Sequence, residues 1–600
     1  MDDVDDAGTP PGAETGEGQK GLSMSQGLNT RRTLKTLADR YDVAILGGGI
    51  TGLTLALQLT QTRPTIRVFV AERQAHPVPE AAHKVGESSV EIQAHYLRDV
   101  LGLEEHLNKE QLHKFGLRMF FSHNGNLDIA RRVEYGQIFP APLPSYQLDR
   151  GRLENMLGDR ISRGGVDFLS GCKVQQVDLQ PQAECHVIHL HKARRDRQIQ
   201  ARWVVDATGR SSLMKRQLGL EKETGHHGNA SWFRVGYPID IDEWSTEEAW
   251  RARITGGRRR LSTNHLMGPG YWVWLIPLAS GSISIGIVAD AQIHPFEGFN
   301  RFERAMDWLG QYEPQCAQAV EQHLDKIQDF RVMKDYAYSC AQVYSSDRWC
   351  LTGEAGVSID PLYSSGGDLM AISNGLITDL IERHLCGEEI EEKAVAHNQV
   401  YLVLSDVWMA AYEQQYRLMG NPQVMVAKVI WDTMIYWSAA GLLFFHDKLR
   451  RLADSPGAFQ NLFRCWNLHA RVQAFFREWH EIDNPAASDA FADPYSLLDF
   501  IIDLHTGMAA GLTDEELELQ FARNVRLLEQ VAGQLLHTVI ERLSARSGED
   551  AVRNQIERWQ NEPLLIELVD SFRQEDKTNP IDSSWITLGY QSGEKQEVAP

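Results

Sequence analysis

Apolar positions along the chain change period from stretch to stretch, and each change marks a different kind of element. Residues 42–46 form a short apolar run. Behind a glycine-rich turn, Leu53, Ala56, Leu57 and Leu59 recur at helical spacing, and a second run over residues 66–71 stops at Glu72. Short apolar runs bounded by turn residues predict buried strands, and i, i+3, i+4 recurrence predicts a helix. The stretch therefore predicts strand, turn, helix, strand. Residues 84–103 predict a second helix, capped by Ser88 or Ser89, with Tyr96, Leu97, Val100 and Leu101 as its apolar stripe. Residues 145–157 read as a short strand turning into a helix, and residues 173–190 alternate as strands do. Residues 202–210, RWVVDATGR, form an apolar strand that stops at Asp206 before a glycine turn.

Between residues 231 and 289 strands dominate, and residues 270–278 and 281–289 predict an antiparallel pair joined at Ala279 and Ser280. Residues 349–356 give one more strand and glycine turn, and a helix is expected from about Leu369. Beyond Asp379 the period is helical. Its clearest case is residues 513–543, where Thr513 and Glu516 suit a capping box and Leu517, Phe521, Val525, Leu528, Leu535 and Val539 share a face. The apolar run over residues 433–445 is too short to span a bilayer and predicts a buried helix, with a greasy docking surface as the alternative. No internal repeat is visible.

At 600 residues the chain can bury a large core in more than one unit. A net charge of −21 argues against nucleic acid or an anionic membrane as the main partner. The seven cysteines are scattered without a C-x-x-C pair, so no metal site is expected and a reducing, cytoplasmic setting is. Residues 1–39, rich in Asp, Glu, Gly and Pro at their start, are expected to be a disordered acidic tail, the opposite of a signal peptide. Residues 574–600 are expected to be a second loose tail.

The turn between the first two predicted elements carries specific chemistry. Gly47 allows the tight turn, Gly49 lets backbone approach a pyrophosphate, and Gly52 lets the helix pack on the strand, whose N-terminus then holds phosphate charge. Glu72, twenty residues beyond Gly52, suits ribose hydroxyls. The unit predicts a dinucleotide site and, by itself, leaves FAD and NAD both open. No second strand-bounded G-x-G-x-x-G is present, which argues against a built-in NAD(P)H domain.

Further motifs occur in a fixed order: Val85-Gly86-Glu87, Leu148-Asp149-Arg150, Asp206 to Gly209, Trp272-Val273-Trp274-Leu275-Ile276-Pro277, and the D-P-x-x-S-S-G segment ending at Gly366. Together with the first glycine turn they resemble the flavin-dependent halogenases of the tryptophan type, within the FAD-dependent monooxygenases, over about residues 40–385. The resemblance implies an α/β fold: a Rossmann-like FAD-binding domain over residues 40–385, interleaved with an antiparallel substrate-domain sheet mainly at residues 215–340, and a helical region over residues 386–573. It selects FAD. The implied cofactor contacts are Gly47, Gly49, Ile50, Thr51 and Gly52, then Glu72, Arg73 and Arg150, then Asp206 and Gly209, and then Gly353 with Glu354, where Asp is usual. Ser365 and Gly366 represent the segment that holds halide near the flavin.

The resemblance also implies a lysine on the helix after Val85-Gly86-Glu87, beside the substrate, yet no lysine lies between Gly86 and Asn108. His95 falls near the expected place and Lys84 precedes the motif; His95 and Glu87 are the candidate acid/base groups. Tyr363 stands where tryptophan halogenases carry a glutamate. Trp272 and Trp274 resemble the pair that separates flavin from substrate, and alternating Trp on a strand is equally ordinary core packing. The leading expectation is therefore a monooxygenase that uses reduced FAD and oxygen, through a flavin peroxide, on a hydrophobic or aromatic substrate. A halogenase of an aromatic ring, free or carrier-tethered, is the alternative, and an FAD-dependent dehydrogenase or reductase a further one. Reduced flavin would come from a separate reductase.

Overall fold

The computed structural model describes residues 33–80, 84–254, 256–485, 487–545 and 550–574, with Ile586. Its first sheet is built on Arg40–Leu46, whose residues Val43 to Leu46 are wholly buried. The strand order is Tyr344–Ser345, Trp349–Leu351, Arg195–Asp206, Arg40–Leu46, Val68–Glu72, Asp167–Ser170. Arg40–Leu46 pairs in parallel on both sides, with Ile45 opposite Val205 and Val70. The chain leaves this strand through the helix Ile50–Thr62 to Val68–Glu72 on one side and returns as Arg195–Asp206 on the other. Strand order thus reverses at Leu46, and the crevice outside the strand ends there is where an α/β sheet takes its ligand.

The second sheet runs Ile327–Met333, Gly228–Val235, Ile283–Asp290, Tyr271–Pro277, Thr263–Gly268, Leu117–Phe121, Glu134–Tyr135, Phe491–Ala492. It therefore recruits strands from before and after the 215–340 span, including one from the helical region. Alternation on Tyr271–Pro277 splits its side chains between two cores: Trp272, Trp274 and Ile276 join the core shared with the first sheet, while Tyr271, Val273 and Leu275 join a smaller core with Trp250 and Trp308. Gly286 faces Trp274 across the ladder; a Cβ there would lie 2.1 Å from the indole, so the glycine makes room for the ring.

A buried charge cluster pins the edge of this sheet. Glu134 Oε1 accepts from Arg118 Nη1 at 2.6 Å and from Arg259 Nε at 2.8 Å, and all three side chains are fully buried. Arg253 Nη1 lies 3.5 Å from the other carboxylate oxygen.

Helices dominate from Gly366–Leu385 onward. Asp514–Ala545 starts as its sequence predicts, with Glu516 N donating to Thr513 Oγ1 and Thr513 N donating to the Glu516 carboxylate. The run at residues 433–445 closes the helix Pro422–Ile435, widens into a π-helical turn at Tyr436–Gly441 and ends as Leu442–Phe445. It is buried, as expected of a core helix, but part of it lines a cavity described below. Among the described residues no helix is long and apolar enough to cross a membrane.

Two local expectations change. Residues 84–90 are not helical: Ser89 Oγ is taken by the Tyr146 backbone, and the helix Glu91–His95 begins after Val90, which makes no side-chain cap. Within the expected acidic tail, Leu34 and Leu37 are buried and Arg197 donates to the Leu37 carbonyl at 2.7 Å. Residues 1–32, and the second tail apart from Gln574 and Ile586, lie outside the described residues.

Candidate active site

A cleft of about 660 Å³ opens at the switch point. Gly47, Gly49, Ile50, Thr51, Glu72 and Arg73 line one end, and Trp272, Trp274 and Gly366 line the other. The three glycines separate by what surrounds them. Gly47 has φ +116°, and a Cβ on it would sit 2.2 Å from the Ala207 carbonyl oxygen. A Cβ on Gly52 would sit 2.0 Å from the Gly47 oxygen, so Gly52 serves helix packing and does not itself line the cleft. A Cβ on Gly49 would meet only the Lys84 ammonium, at 3.1 Å. Space is left open only at the glycine where backbone must approach a pyrophosphate. Gly49→Ala is accordingly expected to fold normally but to bind FAD about tenfold or more weakly, read by flavin fluorescence titration; unchanged affinity would remove the pyrophosphate from this turn.

The charges around that turn agree. Glu154, buried, accepts from Ile50 N at 3.2 Å and Arg150 Nη2 at 2.6 Å through Oε1, and from Lys84 Nζ at 3.2 Å through Oε2. One carboxylate thus holds two cations beside the helix N-terminus, where they would meet phosphate. Glu72 accepts from Gly48 N and Gln74 N, each at 2.7 Å and each through a different oxygen, and both oxygens keep a lone pair for ribose hydroxyls. Asp206 lies behind the cleft: Thr208 N and Oγ1 donate to Oδ1 and Met214 N to Oδ2, so its part is to shape the turn whose Thr208 and Gly209 line the wall. Gly353 has φ +58° and packs on Thr51, and the exposed Glu354 lies beside Gly209, where a Cβ would sit 3.9 Å from its Oε2. An elongated cleft with a helix N-terminus, flanking cations and a ribose acid at one end fits FAD.

Further in, Glu87 is paired with Arg234, with Nε 2.9 Å and Nη2 2.8 Å from its Oε1; burial pushes its carboxyl upward against that pairing. Trp272 and Trp274 stand 5.8 Å apart on the cleft wall, donating to the Tyr416 hydroxyl and to Ser284 Oγ respectively.

The segment from Tyr363 to Asp368 divides the cleft from a second cavity of about 120 Å³. Ser364, Gly366 and Gly367 face the cleft; Tyr363, Ser365 and Asp368 face the chamber. The far walls come from Leu404, Val407 and Trp408, from Leu462, Cys465, Trp466 and His469, and from the π-helical turn with Tyr436, Ala439 and Ala440. Lys114 projects into this chamber's lining. It is 6% exposed, donates to Ser88 Oγ at 3.0 Å and to the Ser89 carbonyl at 2.9 Å, and so keeps one N–H of its three unassigned. Burial pushes its ammonium down to about 8, opposed by the charges of Glu91 and Asp368.

Tyr363 is committed elsewhere: its hydroxyl donates to Asp432 Oδ2 at 2.8 Å, and that carboxylate also takes Lys428 at 2.6 Å and Gln473 at 2.6 Å. His469 accepts from Trp431 Nε1 at 3.2 Å, and burial holds the imidazole down to about 4, so it is neutral. His95 lines neither cavity; its ring bonds Asp99 at 2.9 Å and stacks on Phe445 at 4.1 Å, which leaves it a surface-helix histidine. Lys84 likewise stands at the phosphate end and not beside the chamber.

A family profile described as an FAD binding domain matches residues 40–274. The flavin-dependent halogenase chlA of Dictyostelium discoideum is 24% identical over 437 residues, covering 67% of this chain and 70% of that protein. A 1H-pyrrole-2-carbonyl peptidyl-carrier-protein chlorinase of Pseudomonas fluorescens is 25% identical over 54% of this chain and 72% of its own. The crystal structure of halogenase PltM superposes with a TM-score of 0.59 at 16% identity, over 89% of this chain and 96% of that one, a likeness of fold. The chain is an FAD-dependent oxidoreductase of the monooxygenase/halogenase-like kind. One chamber-lining residue that the sequence reading does not single out is Lys114. It lies beyond the helix after Val85-Gly86-Glu87, in His113-Lys114-Phe115-Gly116 ahead of the buried strand Leu117–Phe121. A lone lysine between apolar positions at a strand entry is the signal that could have found it.

Proposed function

We propose that this enzyme is a reduced-FAD-dependent halogenase of an aromatic ring. The observation that carries the reading is Lys114, a buried lysine in a chamber separated from the flavin cleft by one stretch of backbone. From sequence alone oxygenation leads, because no lysine stands on the expected helix; the buried Lys114 supports halogenation instead. The chemistry that bound reduced FAD would supply is activation of oxygen for conversion of halide to hypohalous acid. Lys114 is placed to hydrogen-bond such an electrophile and to give its oxygen a proton as the halogen leaves. The dividing segment, Tyr363 to Asp368, keeps the ring away from the cleft.

The chamber suits a small ring: an apolar cavity of about 150 Å³ can hold benzene, and this one is about 120 Å³. Support from relatives points the same way. PltM has been crystallised with phloroglucinol and FAD, and a relative from Pseudoalteromonas luteoviolacea is a pyrrolyl carrier-protein brominase. Reduced flavin is taken to come from a separate reductase. The deciding experiment supplies chemically reduced FAD, oxygen and bromide with phenols, pyrroles and indoles and reads products by mass spectrometry. Bromine on a ring is expected; oxygen insertion without bromine would return the enzyme to the monooxygenases.

A further inference from the structure

We propose that Asp368 is the base that receives the hydroxyl proton of a phenolic ring held in the chamber, supplying the carboxylate that Tyr363 cannot. Asp368 stands in the first turn of Gly366–Leu385 and is completely buried on the chamber wall. Its Oδ1 accepts from Gln93 N at 2.9 Å, which fixes the side chain, while its Oδ2 is buried beside the Tyr436 hydroxyl and, among the described residues, takes no hydrogen bond of good geometry. An unpartnered buried carboxylate oxygen costs free energy that a ligand donor recovers, and a ring hydroxyl in this cavity is such a donor. The groups facing Asp368 are Lys114, Glu91, Tyr412 and Tyr436. Lys114 is the one cation among them, so a phenolate formed here would have its countercharge in place. Burial also raises the Asp368 carboxyl well above the ordinary carboxylate range, which strengthens it as a base.

The step rests on the halogenase reading for its electrophile, hypohalous acid, and needs no other reagent. A ring electron pair forms the carbon–halogen bond and the halogen–oxygen bond breaks. The oxygen leaves as water with a proton from the Lys114 ammonium, and the hydroxyl proton passes to Asp368. The ring proton, lost as aromaticity returns, goes to the Lys114 amine, and Asp368 returns its proton to the product oxygen.

The test compares phenol, its methyl ether and a series of fluorinated phenols of falling pKa on the FAD-loaded full chain, wild type and Asp368→Asn. Wild type is expected to brominate phenol at least about 100-fold faster than the ether. Asp368→Asn should lose at least about 100-fold in kcat/KM on phenol and less than about tenfold on 2,3,5,6-tetrafluorophenol, which keeps one ring hydrogen and is already ionised in neutral water. The acidic limb of the wild-type kcat/KM profile should vanish in the variant. Equal turnover of phenol and ether, or an equal loss on every phenol, overturns the proposal. The ether comparison decides even if Asp368→Asn does not fold. If no ring is brominated, the halogenase reading fails, but Asp368 is still tested by absorbance: wild type should bind a fluorophenol as phenolate below its free pKa, and a neutral bound phenol sinks the proposal.

Discussion

Lys114→Met should lower bromination of the ring by at least about 100-fold while oxygen consumption by reduced FAD continues and hypobromous acid is released instead. The side chain is unbranched and of similar length, so the cavity stays filled, and what is withdrawn is the ammonium. The acting form in the proposed mechanism is protonated. Because burial brings that group down to about 8, wild-type bromination should decline as pH rises through about 8; the same decline should be missing from oxygen consumption. His95→Ala should leave both products unchanged. A Lys114→Met enzyme that still brominates at more than a tenth of the wild-type rate would take the lysine out of the mechanism.

The largest stability effect is expected at Glu134. Replacement by Ala leaves Arg118 and Arg259 fully buried without the carboxylate they share. Removing one partner from such a cluster costs about 3–5 kcal/mol, most of it the penalty of the charges left behind. The urea midpoint should fall accordingly, with no change in flavin affinity per folded molecule, since Glu134 lies outside the cleft lining. A loss below about 1 kcal/mol would mean that water reaches the arginines.

Local pattern made much of the fold legible. The strand, turn, helix, strand unit at Arg40–Glu72, the pair Tyr271–Pro277 and Ile283–Asp290, and the capped helix Asp514–Ala545 all follow from periodicity and turn residues. What periodicity could not reach was long-range pairing. Nothing local joins Phe491–Ala492 to Glu134–Tyr135, because two-residue strands have no period to read. The site divides in the same way. Residues whose motif lies within a single turn, Gly47, Gly49, Glu72 and Arg150 among them, line the cleft. The chamber is assembled from segments hundreds of residues apart, and so Lys114, Asp368 and His469 meet only in three dimensions. Asp206 shows the opposite case: its motif is beside the cleft, while its own carboxylate is used up within the turn.

The π-helical turn at Tyr436–Gly441 has a consequence for how the chamber could be reshaped. A π turn holds one residue more than the α-helix around it. Deleting a single residue there would restore an ordinary helix: the wide turn already absorbs the extra residue, so the flanking segments keep nearly the same orientation while the stretch of Tyr436, Ala439 and Ala440 on the chamber wall is re-presented. One-residue deletions at this turn are thus a route to new ring selectivity that substitutions, which change side chains one at a time, do not offer.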